Sequence, residues 1–133
     1  MVIGADTGFF IQLAKSDPVA EKIWDNVSVG EDELIVSVIT LNELLAYFYR
    51  RGKPEEAEKY ANLLKLMPTI TLVSVSSRIA ELSAKYKYSL GIPTTDSIIL
   101  TTFLLEKVDL IVTTDKHFKK AEEQNLANVK VLV

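Results

Sequence analysis

Near the start of the chain stands Val2-Ile3-Gly4-Ala5-Asp6-Thr7, and the reading of the fold starts from these six residues. Val2 to Ala5 is a short apolar run, which is how a strand covered on both faces reads. Thr7 to Lys15 follows with Phe10, Leu13 and Ala14 on one helical face. An acid, Asp6, stands at the joint. The same alternation then recurs along the chain. Asp17-Pro18 is a cap and first-position pair for a helix to about Asn26. Leu34 to Val38 reads as a second strand. Thr40-Leu41-Asn42-Glu43 has capping-box spacing and opens a helix to Tyr49. Gly52 stops that helix, and Pro54 starts another to about Met67, so the two form a helical hairpin. Thr69 to Val73 is rich in β-branched residues and reads as a third strand. Ser76 or Ser77 caps a helix that runs to Leu90 and ends at Gly91. Thr94 or Thr95 caps the next, from Asp96 to about Lys107. Leu110 to Thr113 is a fourth strand, Lys116 to Gln124 a short helix, and Val129 to Leu132 a final strand. Strands alternating with helices imply an α/β domain with a mostly parallel sheet.

Composition narrows the chemistry. With 133 residues, 48% of them apolar, the chain is expected to form one domain with an ordinary core. It has no cysteine, which removes disulfides, thiolate nucleophiles and cysteine-held metals. The single His117 cannot build a multi-histidine zinc site within one chain. No apolar run approaches the roughly 20 residues that span a bilayer, and the N-terminus lacks the basic start of a secretory signal. The expected location is cytoplasmic. Net charge is −3, a mild argument against non-specific binding to nucleic acid. If four acids sit on metal, the remainder sums to −3 + 4 = +1. Overall charge therefore permits a polyanionic substrate.

Four acids recur at strand ends or helix starts: Asp6, Glu43, Asp96 and Asp115. Each has an ordinary explanation. Asp6 can cap the helix at Thr7, and Glu43 can close a capping box with Thr40. Asp96 lies in a first helical turn, where the macrodipole favours negative charge, and Asp115 can cap the segment after Thr113-Thr114. Their shared placement suggests more. In open parallel sheets, ligands gather beyond the carboxyl ends of the strands. Four carboxylates converging there would repel one another and raise their proton affinity, and a hard divalent cation would relieve the strain.

The order of these segments resembles the PIN-domain ribonucleases, most closely the VapC-type toxins of toxin–antitoxin pairs. The resemblance covers essentially the whole chain. It is carried by Ala5-Asp6-Thr7, by Val38-Ile39-Thr40-Leu41-Asn42-Glu43-Leu44, by Ile92-Pro93-Thr94-Thr95-Asp96-Ser97-Ile98-Ile99, and by Leu110-Ile111-Val112-Thr113-Thr114-Asp115-Lys116-His117-Phe118. It implies a three-layer α/β/α fold whose five-stranded sheet has the order 3-2-1-4-5. It implies Mg²⁺- or Mn²⁺-dependent endonucleolytic cleavage of RNA, with metal ligands at Asp6, Glu43, Asp96 and Asp115 and an added hydroxyl from Thr113. It implies a homodimer, and an antitoxin whose tail fills a groove between the early helices and approaches the acids, often with an arginine. Gly8 departs from the family pattern, since many relatives carry Asn or Ser there.

Other residues have two readings. Tyr47, Arg50 and Arg51 fall together at the end of the Glu43 helix, as a phosphate-contacting rim or, more simply, as cations complementing a helix C-terminus. Lys85, Lys87, Lys116, Lys119 and Lys120 share that ambiguity. His117 beside Asp115 invites a general-base role, but a surface place on the following helix accounts for it more simply. Phe9, Phe10, Trp24, Tyr47 and Phe48 are expected to be mostly core. An alternative function is a PIN-like module that binds protein or RNA without cutting. A phosphoacceptor domain of the receiver type is disfavoured, because Asp6 has no acidic neighbour and the third strand ends Leu72-Val73-Ser74. Gly8 excludes an Asp-x-Asp phosphohydrolase, and there is no Gly-rich phosphate loop.

Overall fold

The computed structural model describes residues 1–132. Five strands, β1 (Val2–Ala5), β2 (Glu33–Ser37), β3 (Ile70–Val73), β4 (Leu110–Thr113) and β5 (Val129–Val131), form one sheet in the order β3-β2-β1-β4-β5. Every neighbouring pair is parallel. The helices are α1 (Thr7–Ala14), α2 (Pro18–Ser28), α3 (Val38–Arg50), α4 (Pro54–Leu66), α5 (Ser77–Leu90), α6 (Thr94–Leu105) and α7 (Lys119–Glu123), with a 3₁₀ turn at Lys116–Phe118. This is the α/β class and strand order expected from the resemblance.

Strand residues alternate between two apolar layers. Ile3, Ala5, Leu34, Val36 and Val112 point to a core built with α1 to α4. Ile35, Ile111 and Val129 point to a second core with α6 and Phe118. Both faces are covered, which explains the near-continuous apolar strands. Gly4 is the point of closest helix approach. A Cβ there would lie 2.7 Å from the ring of Phe103, so only glycine lets α6 pack against the central strand. On the other face, Phe10 and Phe48 both pack against Tyr60, their ring centroids 6.4 and 5.1 Å from its own.

Local chemistry sets most helix boundaries. Asp17 caps α2 by accepting from the Ala20 N–H at 2.9 Å, with Pro18 in the first position. Ser76 caps α5, and Gly91 ends it with φ 64°. Two caps differ from the sequence reading. Helix α3 begins at Val38, not after Thr40, because Ser37 accepts from the Ile39 N–H at 3.1 Å. Thr40 is buried inside the helix, and Glu43 lies in its second turn rather than closing a capping box. Helix α6 starts one residue earlier than a threonine cap would place it. Pro93 occupies the cap, Thr94 is already helical, and no side chain closes the end. The segment after Asp115 also divides into the 3₁₀ turn and the short α7 rather than one helix.

Chain order decides where a site can form. From β1 the chain steps outward through β2 to β3, then crosses to β4 on the other side of β1. The reversal lies between β1 and β4, where Ala5 pairs with Val112. Loops leaving these two strands diverge to opposite faces and leave a crevice at their carboxyl ends.

Candidate functional site

Asp6 leaves β1 directly into that crevice. It caps α1 by accepting from the Phe9 N–H through Oδ1 at 3.1 Å. Its Oδ2 accepts from the buried hydroxyl of Thr113, at the end of β4. The same Thr113 oxygen accepts from the Asp115 N–H at 2.8 Å. Thr113 thus ties the two central strand ends together and orients one acid directly and the other through its backbone.

Glu43 arrives from α3. Its Oε1 accepts from the Thr7 hydroxyl at 2.6 Å, which links the first turn of α1 to α3. Asp96 comes from the first turn of α6, and Asp115 caps the 3₁₀ turn after β4 by accepting from the His117 N–H at 2.9 Å. The four acids line one cleft of about 190 Å³. Thr7, Gly8 and Thr114 complete its polar wall, and Ile11 and Ile99 its apolar floor. Residues separated by more than a hundred positions in sequence therefore share one pocket.

The electrostatics match crowded carboxylates. Burial pushes Asp6 up to about 6, and the charges of Asp115 and Glu43 push the same way, against the hydrogen bonds from Thr113 and Phe9. Asp96 is pushed up to about 7, first by burial, then by its hydrogen bond with Asp115 and that residue's charge. His117 opposes this shift. Its Nδ1 lies 3.1 Å from an Asp96 oxygen and 2.8 Å from an Asp115 oxygen.

His117 differs from its sequence reading. Its side chain is half exposed, yet the 3₁₀ turn aims the ring back at two of the acids rather than outward from a helix. Ligand atoms of Asp96, Asp115 and His117 lie within 4.8 Å of one another, close enough to share one ion. The nearness of His117 to Asp115 in sequence was visible, but the contact with Asp96 depends on where α6 sits. Thr7 was missed too, because its role depends on α3 crossing α1. Arg51, Lys119 and Lys87 have structural partners. The Arg51 guanidinium stacks 3.6 Å from the Tyr47 ring centroid and donates to the Tyr47 carbonyl at 3.2 Å, so it complements the end of α3. Lys119 pairs with Glu122 at 2.9 Å, and Lys87 donates to the Thr94 hydroxyl at 2.6 Å. Phe9, Phe10 and Phe48 are buried, and Trp24 and Tyr47 are partly so.

The PIN domain family model matches residues 4–124, which includes all four acids. The chain belongs to the PIN-domain family. Solved structures show the same fold for this PIN domain at low identity. VapBC2 from Rickettsia felis, bound to a DNA fragment from its promoter, aligns with a TM-score of 0.75 and 14% identity over 100% of both chains. VapBC-1 from nontypeable Haemophilus influenzae gives 0.72 and 21% over 98% of both. The Mycobacterium tuberculosis toxin VapC20, described as cleaving the sarcin-ricin loop, gives 0.67 and 16% over 82% of this chain and 86% of its own. No curated protein matches the sequence. Among the described residues, no helix of this PIN domain is long and apolar enough to cross a membrane.

Proposed function

We propose that this PIN domain is a metal-dependent endoribonuclease and the toxin of a type II toxin–antitoxin pair. One observation carries the reading. Asp6, Glu43, Asp96 and Asp115 come from four separate segments and line a single cleft at the switch point of the sheet. Asp6 and Asp115 also serve as caps, but Glu43 and Asp96 cap nothing and still face the same cleft.

The donor set fits a hard divalent cation. Asp6, Glu43, Asp96 and Asp115 offer carboxylate oxygens and would hold Mg²⁺ or Mn²⁺. The proton affinities of Asp6 and Asp96 are raised chiefly by burial and further by neighbouring carboxylates, and a bound cation would offset both. When bound, the ion supplies an activated water and neutralises charge on the phosphate. The chain's own contribution is orientation. Thr113 and the Phe9 N–H fix the Asp6 carboxylate, and Thr7 fixes Glu43. His117 places its Nδ1 between Asp96 and Asp115 and holds the two side by side. The substrate is RNA. The partner is an antitoxin, consistent with neighbours solved as toxin–antitoxin complexes. The active form is a cytoplasmic homodimer.

The test is RNA cleavage by wild type, Asp6→Asn and Glu43→Gln with Mg²⁺ or Mn²⁺, and with chelator as control. Both variants are expected to lose cleavage while keeping the fold, since an amide can still accept from Phe9 or Thr7. Full activity in either removes that acid from the site. Manganese binding by calorimetry, without cleavage of any RNA offered, would instead favour a binding module.

A further inference from the structure

Two lining residues of the cleft with no assigned role, Gly8 and Thr114, are fitted closely to one another. A Cβ built on Gly8 would lie 2.0 Å from the Thr114 hydroxyl oxygen, 2.9 Å from the Thr114 Cβ and 3.0 Å from its backbone nitrogen. Gly8 has no unusual backbone conformation, so nothing in its own φ requires glycine. What requires it is the hydroxyl of Thr114, which occupies the space where a side chain at position 8 would begin. Both residues line the cleft with the four acids.

The hydrogen-bond inventory of that wall gives this hydroxyl its meaning. Four of the lining side chains are carboxylates, which repel a phosphodiester unless neutralised. Two hydroxyls line the same cleft. Thr7 gives its proton to Glu43 at 2.6 Å. Among the described residues, the Thr114 hydroxyl makes no hydrogen bond to a protein group. It is half-buried, follows β4 directly, sits against the first turn of α1, and its proton is not taken by any of the surrounding protein groups.

We propose that Thr114 contacts the substrate, donating its hydroxyl proton to a non-bridging oxygen of the phosphodiester in the cleft, and that Gly8 is glycine to admit that hydroxyl. The assignment rests on the ribonuclease reading for its substrate. It differs from the role of Thr113, whose hydroxyl is consumed in orienting Asp6 and Asp115. The geometry also makes the hydroxyl transferable. Glycine at 114 would leave only its backbone nitrogen near position 8, at 3.0 Å, and a serine at 8 would then return a hydroxyl to the vacated space.

The test uses the full chain and a fluorescein-labelled single-stranded oligoribonucleotide. Affinity is read by anisotropy in Ca²⁺, cleavage in Mn²⁺, and metal binding by calorimetry with Mn²⁺ alone. Thr114→Val and Thr114→Ala are expected to bind the oligonucleotide about tenfold more weakly and Thr114→Ser within about threefold, the scale of one hydrogen bond to a charged group. The double variant Gly8→Ser with Thr114→Gly is expected to recover most of the affinity lost by Thr114→Ala. Manganese affinity is expected to stay within about twofold throughout, because no carboxylate loses its orienting bond. Wild-type RNA affinity in Thr114→Val would overturn the proposal. So would a parallel loss of manganese binding, which would make Thr114 a support of the acids, and so would a folded double variant, matched to wild type in melting temperature, that recovers nothing. If wild type binds the oligonucleotide but cuts no RNA, the ribonuclease reading fails while the Thr114 assignment is still decided by affinity. If wild type binds no RNA, both fail.

Discussion

Replacing Asp6 by asparagine should abolish function and stabilise the metal-free protein at alkaline pH. Asp6 is 5% exposed. Its proton affinity rises from the ordinary 3.8 to about 6, chiefly through burial. At 1.36 kcal/mol per pH unit, the ionised group carries a folding penalty of about 3 kcal/mol above that pH. Asparagine removes the charge but keeps an oxygen for the Phe9 N–H, while its fit to Thr113 is poorer. A net gain of about 1 to 2 kcal/mol at pH 8 is the expected balance. The sign follows from linkage. A carboxyl that holds its proton more tightly when folded contributes stability that is complete below pH 3.8 and is lost as pH rises through about 6. Urea unfolding in chelator between pH 4 and 8 reads this directly. Wild type should lose stability across the interval. Asp6→Asn should lose less below pH 6 and retain the loss that Asp96 causes as pH rises from about 4 towards about 7, levelling off above it. Added Mn²⁺ should stabilise wild type and do less for the variant. An Asp6→Asn protein less stable than wild type at pH 8, or with an unchanged pH profile, would refute the view that this carboxylate is an electrostatic burden held for chemistry.

Three further outcomes are expected. Thr113→Val leaves the buried Asp6 oxygen and the Asp115 N–H without their shared partner, so urea unfolding should show a loss of about 2 to 4 kcal/mol, and manganese affinity should fall with it. Gly4→Ala drives a methyl to 2.7 Å from the Phe103 ring at the centre of the sheet, and should cost about 1 to 3 kcal/mol in thermal or urea unfolding. His117→Ala removes the group that lowers the proton affinity of Asp96. Manganese binding followed against pH should therefore shift its midpoint upward, while the protein remains folded.

What the sequence determined by itself was periodicity, punctuation and order. Uniformly apolar strands required helices on both faces, Asp17-Pro18 and Gly91 marked helix ends through local backbone chemistry, and four acids stood at the joints of the alternating pattern. These signals act within a few residues, so one chain displays them. Helix α3 shows where locality misleads, since Thr40 and Glu43 have capping-box spacing but Ser37 caps first and frees Glu43 to reach Thr7. Only the tertiary structure decided which side chains meet across elements. It spent the Thr113 hydroxyl on two acids, turned His117 back onto Asp96 and Asp115, and set Thr114 where Gly8 leaves room. Such pairings depend on where α1 crosses the ends of β1 and β4, an arrangement fixed by packing on both faces of the sheet.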